Sequence, residues 1–570
     1  MSNALSNQIK KLRVPFPFKG FQFNGCKNPA CRNFMVPPIC EGHGNSVKDG
    51  YALTGKGRER AIRCKYCNTY TIVKSNKAII EEFERQSNYL RDNQTFCSNH
   101  ECDNYHYSVE LHPKRYHSKG KGTSGNKRFT CKLCRKSITQ RTKRCFQHRL
   151  YSAQDKSVFS LLVNNTALNK IMLHTGLTPN ALYKKIDFIH RQCIRFIAKR
   201  EEGMADKLPS PIAIAMDKQD YVVNWTDSHS KKNVQLTGVT SIEAARGYVL
   251  GSSVNYDPTI STSEVVERAG EVGDLNTDSC FRTFAQYFIP NDVELAMSKE
   301  ISIFDKQHLG SHATLPSKGS QLHSEYVVFG HCMLLRHLIG EGRPLYFYLD
   351  GDSMLSNGVM SVFKSSISAG TTHALTCGFA KGMAHDAKKS LRAESLLMLH
   401  RFAIQHGLKY KDDQKLIEFL FTKSQLEEHF ASFGKLFKTT FKNKIHKINE
   451  PYRNAKALTR VDLHLNINEL ADLYNAASVE RLDSYFQSIR RNLPLLGRPF
   501  ATQSNEGRLW HGMAPYNPKI IQKVLDIYRV YNNYVKLTRN RKGGFNNDTP
   551  AMRLGLARGL VKMEDILYQS

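Results

Sequence analysis

The chain has no long hydrophobic run. No stretch of its 570 residues approaches the roughly 18 uninterrupted apolar positions of a membrane span. Residues 1–20 carry charge without the apolar segment of a secretory signal, and no basic amphipathic anchor stands out. These absences predict a soluble intracellular chain with no membrane partner. Acidic residues are also scarce: 51 Asp+Glu face 82 Lys+Arg, a formal net charge of +31. Such an excess repels itself, and a polyanion relieves the repulsion, so nucleic acid is the leading partner. With 41% hydrophobic residues the chain can build cores for two to four domains, which excludes wholesale disorder.

Cysteine is plentiful but confined, with ten of the 14 residues before position 150. In a reducing compartment closely spaced pairs bind metal more often than they form disulfides. The segment Cys26-Lys-Asn-Pro-Ala-Cys31-Arg-Asn33-Phe34 matches Cys97-Ser-Asn-His-Glu-Cys102-Asp-Asn104-Tyr105, and a Cys-Lys-x-Cys knuckle follows each, at Cys64–Cys67 and Cys131–Cys134. Two thiolate pairs joined by a small hairpin supply four soft ligands at about 2.3 Å, the tetrahedral set zinc prefers. Two structural zinc ribbons are therefore expected, on Cys26, Cys31, Cys64 and Cys67 and on Cys97, Cys102, Cys131 and Cys134. Cys40 or His43 is an alternative ligand in the first, and His100, His112 or His117 in the second; Cys145 has no evident partner. Basic residues crowd the second ribbon from Lys114 to Arg149. They include Arg128, Lys132, Arg135 and Lys136, and that surface suits a phosphate backbone.

Residues 153–200 switch to helical spacing. Val158, Leu161 and Leu162 suggest one helix, and Ala167, Leu168, Ile171 and Met172 a second. Gly176 turns the chain and Thr178-Pro-Asn opens a third through Leu182, Ile186, Ile189, Cys193 and Ile197. That is the layout of a helix-turn-helix. The residues available to a major groove are Asn180, Tyr183, Lys184 and Lys185.

Beyond Pro211 the pattern becomes β. Ile212-Ala-Ile-Ala-Met216 is an apolar strand expected to end in Asp217, and Tyr221–Trp225, Val234–Val239 and Gly247–Val254 are further strand candidates. Leu345-Tyr-Phe-Tyr-Leu349 runs into Asp350, with Asp352 as its rival. Neighbouring strands lie under about 5 Å apart, so two terminal carboxylates can share a cation. A third acid comes from a helix, where Glu480 borders the stripe Val479, Leu482, Phe486 and Ile489. Asp217, Asp350 and Glu480 are thus the candidate catalytic residues and ligands of two magnesium ions, with manganese as an alternative. Hard cations prefer carboxylate oxygen, and such a pair serves phosphodiester cleavage.

In this order the parts resemble the insertion-sequence-one family of bacterial transposases. Ala215-Met-Asp217-Lys-Gln with Tyr221-Val is similar to that family's first-acid strand, and Leu349-Asp350-Gly351 to its second. Val479-Glu480-Arg481, Ile489-Arg-Arg-Asn492 and Leu496-Gly-Arg498 are similar to its glutamate helix. Asn532-Asn533-Tyr534 and the segment Thr549–Ala557 are similar to the closing part of many Asp-Asp-Glu transposases. The resemblance implies a multidomain α/β protein with a ribonuclease H-like core, acting on double-stranded DNA as a dimer or larger assembly in the bacterial cytoplasm, associated with the nucleoid. It implies recognition of terminal repeats, strand cleavage and strand transfer. The expected domains are zinc ribbons at 1–80 and 81–150 and a helix-turn-helix at 151–205. The core's first part spans 206–385, with an irregular insertion near 257–320. A helical insertion at 386–470 and the rest of the core at 471–570 complete the chain. A purely hydrolytic nuclease, a DNA-binding regulator with an inactive core and an RNA-binding factor are the competing readings.

Overall fold

A computed structural model describes residues 12–42, 45–91, 94–99, 102–110, 112–123, 126–140, 153–224, 233–290, 292, 314–380, 382–410, 413–433, 445–497, 500–501, 509–510, 512–539 and 544–569. The chain is a multidomain α/β protein that divides into two compact units. One takes residues 1–83, 208–488 and 498–519; the other takes 84–207, 489–497 and 520–570.

The first unit is built on a mixed sheet of seven strands: β1 (Ile212–Val223), β2 (Val234–Glu243), β3 (Val249–Val254), β4 (Leu345–Asp350), β5 (Thr372–Phe379), β6 (Ile445–Lys447) and β7 (Glu450–Ala457). Its spatial order is β6-β7-β5-β4-β1-β2-β3. β1, β2 and β3 form an antiparallel meander, while β4 and β5 run parallel to β1. The parallel centre is buried on both faces, so its strands read as continuous apolar runs. Ile212, Ile214, Ala215 and Met216 of β1 and Phe347 and Leu349 of β4 are fully buried. Each large side chain among them contributes roughly 1.5–3 kcal/mol. The helix Ser324–Ile339 connects β3 to β4 and covers β2 and β3. Its His331 is fully buried, hydrogen-bonded to Ser241 Oγ at 2.6 Å and Ser253 Oγ at 3.0 Å.

Three expectations change here. β1 does not end at Asp217: Lys218 to Val223 go on pairing with Val239 to Val234 of β2, and what ends there is the parallel neighbour β4. The segment near 257–320 is less irregular than expected, since Thr262–Glu271 is a helix capped by Ser261. The 386–470 insertion is only partly helical. It forms the helices His385–Gln405 and Gln414–Phe433, then adds β6 and β7 to the sheet edge. β7 reads Glu-Pro-Tyr-Arg-Asn-Ala-Lys-Ala, and most of it is only half-buried, so no apolar alternation announces it.

The first ribbon belongs to this unit. Cys280, from the 257–320 segment, packs into its small core beside Cys26, Tyr51, Ile62 and Cys64. Arg60 pairs with Asp278 and Lys74 with Glu325. The Ser75 N–H donates to Tyr326 Oη at 3.1 Å.

The second unit joins the second ribbon to the helices Ala153–Leu162, Leu168–Thr175 and Pro179–Glu201. Residues 520–569 also pack here, so the C-terminal part of the expected 471–570 core segment lies outside the sheet's unit. His190 meets Asp526 at 2.9 Å, Lys156 pairs with Glu564, and Phe196 packs edge-on against Tyr534 with centroids 4.9 Å apart. The buried Glu201 carboxylate is satisfied by Arg529 and by the Tyr89 hydroxyl. Among the described residues no helix is long and apolar enough to cross a membrane.

Candidate metal centres and acidic site

Both cysteine quartets are assembled, with the four sulfurs of each within 4.8 Å of one another. Cys26–Cys67 and Cys31–Cys64 lie 3.4 and 3.6 Å apart, Cys97–Cys134 and Cys102–Cys131 3.3 and 3.7 Å. A tetrahedron with metal–sulfur bonds of about 2.3 Å has edges of about 3.8 Å, so each set can hold a zinc ion. Cys40 and His117 stay outside the quartets, and His112 packs edge-on against Tyr107. His43, His100 and Cys145 lie outside the described residues.

The repeat extends further than the cysteine spacing. Asn33 Nδ2 donates to Gly50 O and Cys64 Sγ, and Asn104 Nδ2 to Arg115 O and Cys131 Sγ. Tyr51 is the direct strand partner of Cys64, as Tyr116 is of Cys131. Tyr51 Oη accepts from the Cys26 N–H at 3.0 Å and donates to Asn33 O; Tyr116 Oη accepts from the Cys97 N–H at 3.2 Å and donates to Asn104 O. One hydroxyl thus fixes the first ligand against the loop of the second. The sequence reading missed both tyrosines. Burial opposes the Cys131 thiolate, but N–H groups of Cys134, Leu133 and Asn104 prevail and hold that thiol down to about 6, whereas burial pushes Cys97 up to about 12 and raises Cys102 as well. Metal ligation requires such a deprotonated sulfur.

The outer surface of the second ribbon is cationic. Arg128, Lys132, Arg135 and Lys136 are all exposed, and no acidic residue occurs between 111 and 140. In the helical domain Gly176 adopts a left-handed conformation (φ 68°) that ends one helix. Thr178 Oγ1 then caps the next by accepting from the Ala181 N–H. Asn180, Tyr183 and Lys184 are exposed on its first turns. Lys185 differs from the other three. Its ammonium lies 2.7 Å from the buried Asp155 carboxylate and secures helix packing.

At the sheet, Met216 and Leu349 are direct partners in the parallel β1–β4 register, so Asp217 and Asp350 follow side by side where β4 ends. Asp350 is in turn the partner of Cys377 on β5. Burial raises the Cys377 thiol to about 12, with Lys447 opposing and the Asp350 charge adding. Asp352 is committed elsewhere: it caps the helix Ser353–Val362 by accepting from the Met354 N–H at 2.7 Å, and it pairs with Lys218 at 2.6 Å. Glu480 opens the helix Glu480–Asn492 and is 64% exposed, its Oε2 3.6 Å from Arg453 Nη1 on β7. Asp217, Asp350 and Glu480 are not gathered as the cysteine quartets are. Burial lowers the Lys447 ammonium, and the charges of Cys377, Glu450 and Glu480 act against that shift. No family model matches the chain, and no curated protein is significantly similar to it.

Proposed function

We propose that the chain is an Asp-Asp-Glu DNA transposase with a ribonuclease H-like core, akin to the insertion-sequence-one family. The observation that carries this reading is that Asp217 and Asp350 each directly follow the last registered β1–β4 pair, Met216 and Leu349. They sit in a sheet whose first five strands are ordered β3-β2-β1-β4-β5, with β1, β4 and β5 parallel. Carboxylates so placed suit hard divalent cations. Asp217 and Asp350 would hold magnesium, and Glu480 would join them on leaving Arg453. When bound, magnesium would supply charge neutralisation at phosphate oxygens and activation of the attacking hydroxyl, and these carboxylates would hold and orient it. The exposed cations of the second ribbon and Asn180, Tyr183 and Lys184 would grip duplex DNA. The first ribbon, tied to Asp278 and Glu325, would brace the core rather than contact DNA.

A test uses the full chain, magnesium and duplexes bearing candidate end sequences, taken from any inverted repeats found on either side of the coding region. Site-specific 3′ nicks, and joining of a pre-cut 3′ end to a second duplex, are expected. Both should disappear in Asp217→Asn and Asp350→Asn. Nicks without joining would leave a hydrolytic nuclease. A second reading, a DNA-binding regulator with an inactive core, is favoured by the exposure of Glu480 beside Arg453. Repeat-specific binding with no nick would establish it.

A further inference from the structure

The helix His385–Gln405 buries one face through Ser395, Leu399 and Ala403. Its opposite face carries large apolar side chains in the open: Leu397 is 61% exposed, Met398 53% and Ile404 66%. With 3.6 residues per turn, positions 391, 394, 397, 398, 401 and 404 form one stripe about 20 Å long, with Leu391 half-buried at one end. Glu394 and Arg401 are exposed within it and form no ion pair among the described residues. Contiguous exposed apolar surface on a folded protein marks an interaction site.

The order of side chains along the stripe specifies the partner. A two-fold axis between Leu397 and Met398 sets residue 397 opposite 398 of a second copy, 394 opposite 401, and 391 opposite 404. Every pair then matches: Leu with Met at the centre, Glu with Arg on either side, Leu with Ile beyond. An isologous contact requires this reciprocity. A parallel arrangement would set Glu394 against Glu394 and Arg401 against Arg401, which repel. We propose that this helix is a homodimer contact, in which two copies of the chain pair antiparallel through Leu397 and Met398, with Glu394 and Arg401 fixing register. The proposal stands apart from the strand chemistry and is tested without DNA.

Light scattering on the full chain, of 64.9 kDa, should give twice that mass at high concentration. Leu397→Glu should leave a monomer with unchanged circular dichroism. Glu394→Arg and Arg401→Glu, each alone, should weaken pairing by at least about tenfold, because both symmetry-related contacts become repulsive. An equimolar mixture of these two variants should recover the dimer. One variant then carries arginine at both positions and the other glutamate at both, so each contact between them joins opposite charges. A parent that is monomeric at every concentration, variants that pair like the parent, or a mixture that does not recover would each overturn the proposal.

Discussion

Lys218 Nζ lies 2.6 Å from Asp352 Oδ2, which ties the end of β4 back to β1. Asp352 also caps the following helix. The two aspartates of the Asp350-Gly-Asp352 turn therefore have different work. Asp352→Asn, which keeps capping ability, should cost about 1 kcal/mol or less and, in the transposase reading, leave magnesium-dependent nicking intact. Asp350→Asn should fold normally and abolish nicking. Paired thermal melts and nicking assays check this, and loss of nicking in both variants would place Asp352 among the ligands.

The ribbon tyrosines should matter to metal retention although neither touches metal. Tyr116→Phe leaves the Cys97 N–H and Asn104 O without their shared partner, at a cost of about 1–3 kcal/mol. Asn104→Leu removes the N–H donated to Cys131 Sγ and should weaken zinc by about 10–100-fold in chelator competition. In the first ribbon, where Cys280 shares the core, Cys26→Ser should also lower the melting temperature of the sheet's unit. An unchanged core transition on loss of that zinc would separate the ribbon from the core.

The cysteine quartets were legible because ligand spacing is local and occurs twice. Tyr51 and Tyr116 were not, because they lie 25 and 19 residues from the first cysteine of their ribbons and only the hairpin register equates them. Asp217 and Asp350 were legible from the apolar runs before them, yet β1 continues past Asp217 because β2 supplies hydrogen bonds along its whole length. β7 escaped notice because a half-buried strand lying just inside the edge strand β6 needs no apolar alternation. The placement of residues 520–569 depends on contacts with the helices at 153–201, which no local pattern encodes.

Adjacent lysines on the Pro179–Glu201 helix should behave oppositely. Lys185→Ala removes the buried Asp155 carboxylate's ion pair with Lys185 and should cost about 3 kcal/mol. Lys184→Ala, on the exposed side, should change stability by under about 0.5 kcal/mol. In the DNA-binding reading it should also lower the salt slope of duplex binding by about 1. Equal stability losses would remove the distinction.

His373 on β5 is 1% exposed. Burial, reinforced by His464 with ring centroids 6.1 Å away, holds its imidazole down to about 4 from an ordinary 6.5. Between those pH values the unfolded chain binds more protons at this ring than the folded one, so stability falls as pH drops through the window. The contribution is up to about 1.4 kcal/mol per pH unit. His373→Leu should flatten that dependence without loss of stability at pH 7. Denaturant melts at pH 7 and pH 4.5 compare the two, and an unchanged slope would show the ring to be inert.

The most direct test of the central claim is cleavage of the polypeptide by hydroxyl radicals generated at Fe2+ substituted for magnesium in the DNA-bound chain. The account predicts cuts close to residues 217, 350 and 480, all suppressed together by excess magnesium. Cuts near 217 and 350 with none near 480, or cuts that magnesium does not suppress, would contradict it.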